Sequence, residues 1–243
     1  MKIVDAYWDT RSLGCKCGEI DFDGNESTDE IVEALNSASV FDYLVIKIPV
    51  NHLEIQEIVQ NKDFHFCESS FEITMKLSEA RSTRMIDRIS KDIHLERANS
   101  TTKLKIYEEI LKGTFETDRI SLDPAFGKKI AAKRYINWIE DELKKSGSLY
   151  HIFYKDEEVG FFSYKETIPG IEAWVFLAGI YEEFKTSGLG VSLLLDSTRK
   201  YALSRNCKRI RTFVSSNNLP ILRAHIAYGF NIKSIKNVFT KHF

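Results

Sequence analysis

The stretch Lys185-Thr186-Ser187-Gly188-Leu189-Gly190 combines residue types that can bind an anion. It lies between the apolar run 171–180 and a second apolar stretch, 191–203, whose spacing predicts a helix. A helix begins with unpaired N–H donors and a partial positive charge, and glycine lets a ligand's oxygen atoms approach the backbone. This placement predicts a site for a diphosphate, with a plain strand-to-helix turn as the alternative.

Two common phosphate-binding loops do not fit this stretch. A P-loop needs a Lys directly after its last glycine, but Val191 follows Gly190. A dinucleotide fingerprint needs a third glycine where Leu193 stands, and an acidic residue about twenty positions later, where Lys208 and Arg209 stand. The sequence therefore excludes a P-loop nucleotide site and a doubly wound dinucleotide-binding fold.

The elements that must position this loop alternate between strands and helices. A hairpin is predicted first, because two apolar runs flank the polar residues 155–158. The predicted order is helix 128–145, strands 150–154, 159–164 and 171–180, helix 191–203, strand 209–214, helix 218–228 and strand 231–240. This order indicates a mixed α/β sheet with at least one parallel crossover.

The first 80 residues have an α/β pattern of their own and no recognisable catalytic constellation. Residues 43–50 are an apolar, β-branched run that predicts a buried strand, and the capping candidates Ser27 and Thr28 precede a predicted helix. The polar, charged stretch 78–91 is the predicted seam. We therefore expect a smaller α/β N-terminal domain, 1–80, and a larger domain, 81–243.

The two halves of the chain carry opposite net charges. Residues 1–80 contain 6 basic and 16 acidic side chains, whereas residues 81–243 contain 28 and 19. A basic second half suits an anionic small ligand, and an ordinary solvated surface is the alternative. The basic cluster at 199–211 matches no known DNA-binding pattern, so we expect no nucleic acid partner.

Composition and cysteine usage predict the class of protein and its compartment. Hydrophobic residues make up 43% of the 243 residues and charged residues 28%, as in ordinary globular proteins. No apolar run approaches the about 18 residues that a membrane span needs, and the first residues lack the pattern of a secretory signal. Four cysteines with one C-x-C form neither a zinc motif nor a disulfide framework. We expect a cytoplasmic protein without a metal or a membrane contact.

The second half resembles the GNAT family of N-acetyltransferases. The stretch 185–190 resembles the family's [QR]-x-x-G-x-[GA] loop, with Lys in place of Gln or Arg. Asn218, His225 and Gly229-Phe230 resemble a helix and turn of the family, except that a Tyr usually stands where this chain has His225. The order of elements over residues 92–243 is similar as well. The resemblance implies a GNAT fold with a mixed, partly splayed central sheet.

The resemblance also implies acetyl-CoA as the cosubstrate. The loop 185–190 would anchor its diphosphate, and the backbone of Ala178, Gly179 and Ile180 would pair with the pantetheine arm. Asn218 would bind the cofactor, cap its own helix, or do both.

Two residues are expected to serve catalysis. His225 would protonate the departing thiolate in place of the family's Tyr, or bind the cofactor, or only fill space. Glu172 is a candidate general base for the attacking amine, as is Glu182, with a solvated surface charge as the alternative for each.

A narrower resemblance is to the group that acetylates dTDP-fucosamine (dTDP-4-amino-4,6-dideoxygalactose). It rests on the segments 115–124 and 135–139 and on Trp8-Asp9 before a glycine-containing turn. Proteins of this group carry a small α/β domain before the acetyltransferase domain. The resemblance implies that Arg119 and Asp123 face the acceptor, with a surface salt bridge as the alternative.

These observations predict an acetyl-CoA-dependent N-acetyltransferase in which a primary amine attacks the thioester directly. The expected acceptor and partner is a small molecule, in the first place a nucleotide-linked amino-deoxysugar. A peptide, polyamine or antibiotic amine would suit the same fold. A non-catalytic acyl-CoA-binding module is the alternative from another class, motivated by the missing Tyr, and a homodimer is left open.

Overall fold

The computed structural model of the protein describes residues 1–243. The strands are β1 Lys2–Asp5, β2 Cys17–Asp21, β3 Tyr43–Pro49, β4 His65–Lys76, β5 Ile93–Arg97, β6 Ser148–Tyr154, β7 Glu157–Ile168, β8 Glu172–Trp174, β9 Ala178–Ile180, β10 Arg209–Ser215 and β11 Asn231–His242. The helices are α1 Tyr7–Leu13, α2 Thr28–Ser37, α3 Leu53–Gln60, α4 Arg84–Ile89, α5 Lys103–Lys112, α6 Arg119–Leu122, α7 Gly127–Lys145, α8 Glu182–Lys185, α9 Gly190–Ser204 and α10 Leu219–Tyr228. None of these helices has both the length and the apolar character that crossing a membrane requires.

All strands belong to one mixed sheet, which confirms the predicted α/β fold class. The strand order is β1-β2-β3-β11-β4-β10-β8-β7-β6-β5, and β9 branches off by pairing with β7. The predicted hairpin is β6–β7, and the helix predicted over 191–203 is α9. The strand predicted over 171–180 is instead two short strands, β8 and β9, separated by residues 175–177.

The two halves of the chain exchange strands within this sheet. Each half contains a strand, a helix, a parallel strand, a second helix and a final strand: β2–α2–β3–α3–β4 in the first, and β8/β9–α9–β10–α10–β11 in the second. The final strand of each half pairs with the parallel pair of the other, β4 with β10 and β11 with β3. No repeat is visible in the sequence, so the repeat is one of topology. The division into domains 1–80 and 81–243 stays a prediction.

Helices cover both faces of the second half of the sheet. Consecutive residues of β7 illustrate this, because Phe162 packs in the cluster that includes α9 and α10 whereas Phe161 packs in the cluster that includes α5 and α7. Neighbouring side chains of a strand point to opposite faces. A ligand in this half of the sheet therefore lies between two helical layers.

A buried ion triad joins the first half to α6 and α7. The carboxylate of Asp9, in α1, is 1% exposed and lies 2.7 Å from Arg119 Nη2, and it also binds Arg134 Nε. Burial alone would raise the pKa of Asp9, but the two guanidinium groups outweigh it and lower that pKa. Arg119 thus makes a salt bridge, the alternative considered for it, although the pair is buried rather than on the surface.

Candidate active site

The sheet opens where β9 leaves β10. Residues 172–174 pair in parallel with residues 209–211, and the N–H of Val175 still donates to the carbonyl of Arg211 at 3.1 Å. Beyond this point β9 pairs only with β7, so residues 212–215 of β10 have no strand on that side. A wedge therefore separates β9 from the end of β10.

A bulge between β8 and β9 causes this change of partner. Lys165 of β7 faces Trp174, but Phe162 faces Ala178, so three steps along β7 correspond to four along its neighbour. One extra residue bends a strand and turns its backbone groups. The apolar run of the sequence hides the bulge, because all of these residues suit a buried strand.

The bulge sends backbone groups of β9 into the wedge. The N–H of Ser163 in β7 donates to the carbonyl of Leu177 at 2.7 Å, and alternation along the antiparallel pair directs Gly179 toward β7 as well. The N–H and C=O groups of Ala178 and Ile180 therefore face the open edge. Of the three residues predicted to pair with a pantetheine arm, two have the orientation that this requires.

A cavity of about 380 Å³ occupies the wedge and reaches both faces of the sheet. On one face it is lined by α9 and α10, and on the other by the loop 113–118 and Tyr135 of α7. Phe176 of the bulge and residues 212–215 of β10 form its walls. Two substrates can therefore approach one point from opposite faces.

Helix α9 begins next to β9 with unpaired donors, although of the loop 185–190 only Lys185 lines the cavity itself. Its N-cap residue, Leu189, supplies no side-chain cap, and four backbone N–H groups donate no hydrogen bond within the chain. These groups belong to Gly188, Gly190, Val191 and Ser192. Unpaired amides at a helix N-terminus form an anion site.

The glycines of this loop have different physical roles. Gly188 has φ +73°, in the left-handed region that disfavours other residues, and a side chain there would meet open space. Gly190 lies so close to β9 that an added Cβ would be 3.1 Å from Ile180 Cγ2. Gly188 thus permits the turn, and Gly190 lets the start of α9 approach the open edge of β9.

The polar side chains of the loop lie around these amides. Lys185 lines the cavity, and its Nζ lies 2.6 Å from the exposed carboxylate of Glu182. Ser187 Oγ donates to the carbonyl of Phe184 at 2.7 Å and so stabilises the turn, whereas Thr186 makes no polar side-chain contact. Lys185 is therefore the side chain of this group that adds positive charge to the cavity.

Asn218 lines the same cavity from the start of α10. Its side chain makes no capping hydrogen bond to α10 and no other hydrogen bond within the chain. Asn218 is the N-cap residue of α10, but its side-chain amide does not cap the helix and is free to bind a ligand.

His225 lies in the cavity wall one helical turn above Ile221. The residue is 7% exposed, and its Nδ1 lies 2.8 Å from the carbonyl oxygen of Ile221. Burial lowers the pKa of His225 to about 4, so the ring is neutral near pH 7. Because a carbonyl only accepts, Nδ1 carries the proton and Nε2 has a free lone pair. An acid role for His225 stays a prediction, and it requires a proton that Nε2 of the neutral ring lacks.

Tyr228 does not stand in for the missing Tyr. Its hydroxyl donates to Asp196 at 3.0 Å and accepts from Arg199 Nε at 3.2 Å, in a buried contact between α9 and α10. It does not line the cavity. Its role is to hold the two helices together.

The structure does not bring Glu172 to the cavity. Its carboxylate accepts from Thr167 Oγ1 at 2.8 Å and from Arg209 Nε at 2.7 Å. Burial opposes ionisation, but these hydrogen bonds outweigh it and lower the pKa of Glu172. A role as general base stays a prediction without support from position. Glu182 is exposed and paired with Lys185.

The two predicted acceptor residues also lie outside the cavity lining. Arg119 is held by Asp9, as described above. Asp123 Oδ1 accepts from the N–H of Ala125 at 2.9 Å, and its Oδ2 lies 2.8 Å from His242 Nε2. Asp123 therefore shapes the turn before α7, and its predicted contact with an acceptor has no support from position.

The segments 115–124 and 135–139 noted in the sequence include residues 115–118 and Tyr135 of the cavity wall, but sequence reasoning missed Phe176, Phe213 and Ser215. The loop 113–118, Tyr135, Phe176, Phe213 and Ser215 line the cavity on the face of α5 and α7. The alternation of residues 209–215 is a signal that indicates which side chains of β10 share that face. The loop was marked only by the resemblance of the segment 115–124, because its position depends on the packing of distant elements.

Comparisons with known proteins identify the fold. Neither a protein-family model nor a curated protein matches the sequence. A conserved protein of unknown function from Staphylococcus epidermidis matches with a TM-score of 0.64 and 12% identity, over 96% of this chain and 88% of that one. A GCN5-related N-acetyltransferase from Kribbella flavida matches with a TM-score of 0.56 and 10% identity, over 93% and 81%.

A further match is a GCN5-related glucosamine N-acetyltransferase region within a fungal multi-domain β-N-acetylglucosaminidase. Its TM-score is 0.65 and its identity 10%, over 99% of this chain and 31% of that protein. At such identities the likeness establishes architecture alone. The chain therefore has the GNAT fold, the fold of the GCN5-related N-acetyltransferases.

Proposed function

We propose that the protein is an acetyl-CoA-dependent N-acetyltransferase whose acceptor is a primary amine. The observation that carries the proposal is the divergence of β9 from β10 beside the uncapped start of α9. An open strand edge, a cavity and a cluster of free amide donors meet there, and acetyl-CoA needs all three.

The residues present fit the parts of acetyl-CoA. The amides of Gly188, Gly190, Val191 and Ser192 bind the diphosphate, with Lys185 adding charge. The free edge at Ala178 and Ile180 pairs with the amides of the pantetheine arm, as a strand would. The same edge offers an N–H donor to the thioester oxygen, which gains negative charge during attack.

Direct transfer requires a neutral amine on one face of the sheet and the thioester in the wedge. The aromatic wall and the loop 113–118 supply the acceptor side. His225 lies on the α10 side with a free Nε2, which favours a cofactor ligand over an acid among its predicted roles. The departing thiolate then takes its proton from solvent.

We further propose a nucleotide-linked amino-deoxysugar as the acceptor, in a cytoplasmic enzyme. The resemblance to the dTDP-fucosamine acetyltransferase group supports it, and so does the shared fold of the fungal glucosamine N-acetyltransferase region. A peptide, polyamine or antibiotic amine is separated from it by assaying a panel of acceptors. Whether the protein is a homodimer is tested by its mass in solution.

A non-catalytic acyl-CoA-binding module is the second candidate. It is favoured by the neutral, buried His225 at the position where the family has a Tyr. Its signature is binding of acetyl-CoA without release of CoA thiol for any amine of the panel.

Calorimetric titration with acetyl-CoA and with S-acetylpantetheine tests the cofactor proposal. Acetyl-CoA at 100 times its Kd should stabilise the protein by about 2.7 kcal/mol. S-Acetylpantetheine lacks the diphosphate and should bind at least about tenfold more weakly, a difference of roughly 1.4 kcal/mol. Equal affinities would show that the loop does not hold the diphosphate, and no binding of either would refute the proposal.

A further inference from the structure

We propose that Ser215 and Glu68 form the proton relay that takes the proton from the acceptor amine, so that the exchanged strand of the first half completes the active site. This inference rests on the proposed function. Ser215 is the catalytic residue, because it lines the cavity, and Glu68 is a positioning residue that acts through it.

The sheet register brings the two side chains together. Ser215, the last residue of β10, faces Ser70 of β4. Glu68 lies two positions before Ser70 in β4 and therefore points to the same face as Ser70. The hydroxyl of Ser215 donates to Oε2 of Glu68 at 2.5 Å. A carboxylate 147 positions away in sequence is thus one hydrogen bond from the cavity.

The hydrogen bonds of Ser215 leave its oxygen free to accept from an amine. Its proton is directed to Glu68, and one lone pair accepts from the N–H of Asn217 at 3.1 Å. A hydroxyl has two lone pairs. The second has no partner within the chain, and the residue lies in the cavity wall.

Unlike the other acidic side chains near the cavity, Glu68 is not held by a cation or by a backbone N–H group. Glu116 lies 2.9 Å from Lys128, and Oδ1 of Asp118 accepts from the N–H of Ile120 at 2.9 Å at the start of α6. Glu172 is held by Arg209. Glu68 makes no ion pair, and Ser215 is its hydrogen-bond donor.

The charged and titratable groups around Glu68 come from the elements packed against β4. Its charge acts on Arg119 of α6, on Tyr135 of α7 and on Cys67 of its own strand. The cation among them, Arg119, is bound to Asp9. The carboxylate therefore remains available to receive a proton from Ser215.

Every proton that moves in this step has a donor and an acceptor. The nitrogen of the amine forms a bond to the acetyl carbon while its N–H bond breaks, and that proton passes to Ser215 Oγ. The proton of Ser215 passes to Glu68 Oε2, which becomes neutral and later releases it to solvent. The C–S bond breaks, and the sulfur leaves with the electron pair and takes a proton from water.

The experiment compares Glu68→Gln, Glu68→Asp and Ser215→Ala with the control Glu72→Gln. Glu72 lies on the same strand and face but is bound by Lys233 and Ser234, and it does not line the cavity. Calorimetry gives the affinity of each variant for acetyl-CoA. Thiol release with glucosamine, dTDP-4-amino-4,6-dideoxygalactose and spermidine gives kcat and KM across pH.

We expect Glu68→Gln and Ser215→Ala to lower kcat at least tenfold while the affinity for acetyl-CoA stays within twofold. Glu68→Gln should also alter the pH dependence of kcat, Glu68→Asp should recover part of the rate, and Glu72→Gln should stay within twofold. An unchanged rate and pH profile in Glu68→Gln or in Ser215→Ala would overturn the relay. Acetyl-CoA binding by the wild type without thiol release would also overturn it, whereas no acetyl-CoA binding would defeat the proposed function itself.

Discussion

The two halves of the chain use the same strand–helix–strand unit, but only one of them is open. In the first half, β2 and β3 pair at five successive positions, from Cys17 with Tyr43 to Asp21 with Lys47. In the second half, β8 and β10 pair at three positions, and then β9 turns away. Full pairing stabilises the sheet, whereas broken pairing leaves the backbone groups that a ligand needs.

The crossover helices differ in the same way. Ser27 caps α2 by accepting from the N–H of Glu30 at 3.3 Å, and Glu30 accepts in return from the N–H of Ser27 at 2.8 Å. Helix α9 has no such capping box and begins at Gly190. The N-terminus of α2 thus has side-chain partners for its backbone N–H groups, whereas the N–H groups at the start of α9 remain free to bind an anion. In this fold, a ligand can bind where backbone N–H groups have no hydrogen-bond partner within the chain.

Removing residues 1–80 should have the most severe effect on the second half of the sheet. The truncation deletes β4, which pairs with both β10 and β11 and separates them. Two unpaired edges in the middle of a sheet favour aggregation, so we expect residues 81–243 alone to lose cooperative unfolding. Thermal unfolding followed by circular dichroism, with size-exclusion chromatography, checks this. A monomeric fragment that unfolds cooperatively would instead support the predicted domain boundary.

Among the histidines, protonation should destabilise the second half of the chain rather than the first. His225 is buried in the cavity wall, whereas His52 and His65 in the first half are not buried. Burial lowers the pKa of His225 to about 4, below the 6.5 of an exposed imidazole. As pH falls from about 6.5 to 4, the unfolded chain takes up the proton first, so stability falls by about 3 kcal/mol.

The variant His225→Asn isolates this contribution. Its side-chain amide keeps an N–H for the carbonyl of Ile221 but does not titrate. Urea unfolding of both proteins at pH 7 and at pH 4 gives the two differences in stability. The wild type should lose about 3 kcal/mol more than the variant over this interval. Equal losses would mean that His225 is protonated in the folded protein.

Placing an acidic side chain in the first turn of α9, as in α2, should block the anion site formed by the free amides at the start of α9. Ser192 occupies the position in α9 that Glu30 occupies in α2, the third residue of the helix. A carboxylate there competes with the diphosphate for the free amides and repels it. We expect Ser192→Glu to weaken acetyl-CoA binding at least about tenfold, or roughly 1.4 kcal/mol, by calorimetry.

The neutral control is Ser192→Gln, which has the same size and no charge. It should weaken binding less than Ser192→Glu does. The glutamate should also stabilise the unliganded protein slightly, because a negative charge in the first turn favours a helix by about 0.3 to 1 kcal/mol. A loss of affinity that is equal in both variants would point to steric exclusion rather than to an anion site.

Local signals predicted the loop and its helix, but not the opening of the sheet. The glycines of 185–190 and the apolar spacing of 191–203 are short-range properties, and α9 starts where they indicate. The break at residues 175–177 depends on strands at 162–165 and 209–211. An apolar run has the same composition with or without a bulge, so the sequence predicted one strand.

The ion-pair partners of charged residues could not be predicted from the sequence, because they lie far away along the chain. Arg119 has its partner Asp9 110 positions away, and the partner of Glu172, Arg209, is 37 positions away. A carboxylate or guanidinium looks free in a sequence until the fold supplies its partner. Ser215 and Glu68 carried no signal for the same reason, because strand exchange alone makes them neighbours.

Uncapping α2 should lower stability only slightly, because it affects a single hydrogen-bonded cap far from the wedge. Ser27→Ala removes the capping hydroxyl and should cost about 1 kcal/mol of stability, measured by urea unfolding. The control Ser37→Ala removes a hydroxyl that only donates to the carbonyl of Ala34 at the other end of the helix, so it should cost less. Neither variant should change the affinity for acetyl-CoA, because the strands beside α2 stay paired and leave no wedge. Acetyl-CoA binding that falls with Ser27→Ala would show that the first unit takes part in the site.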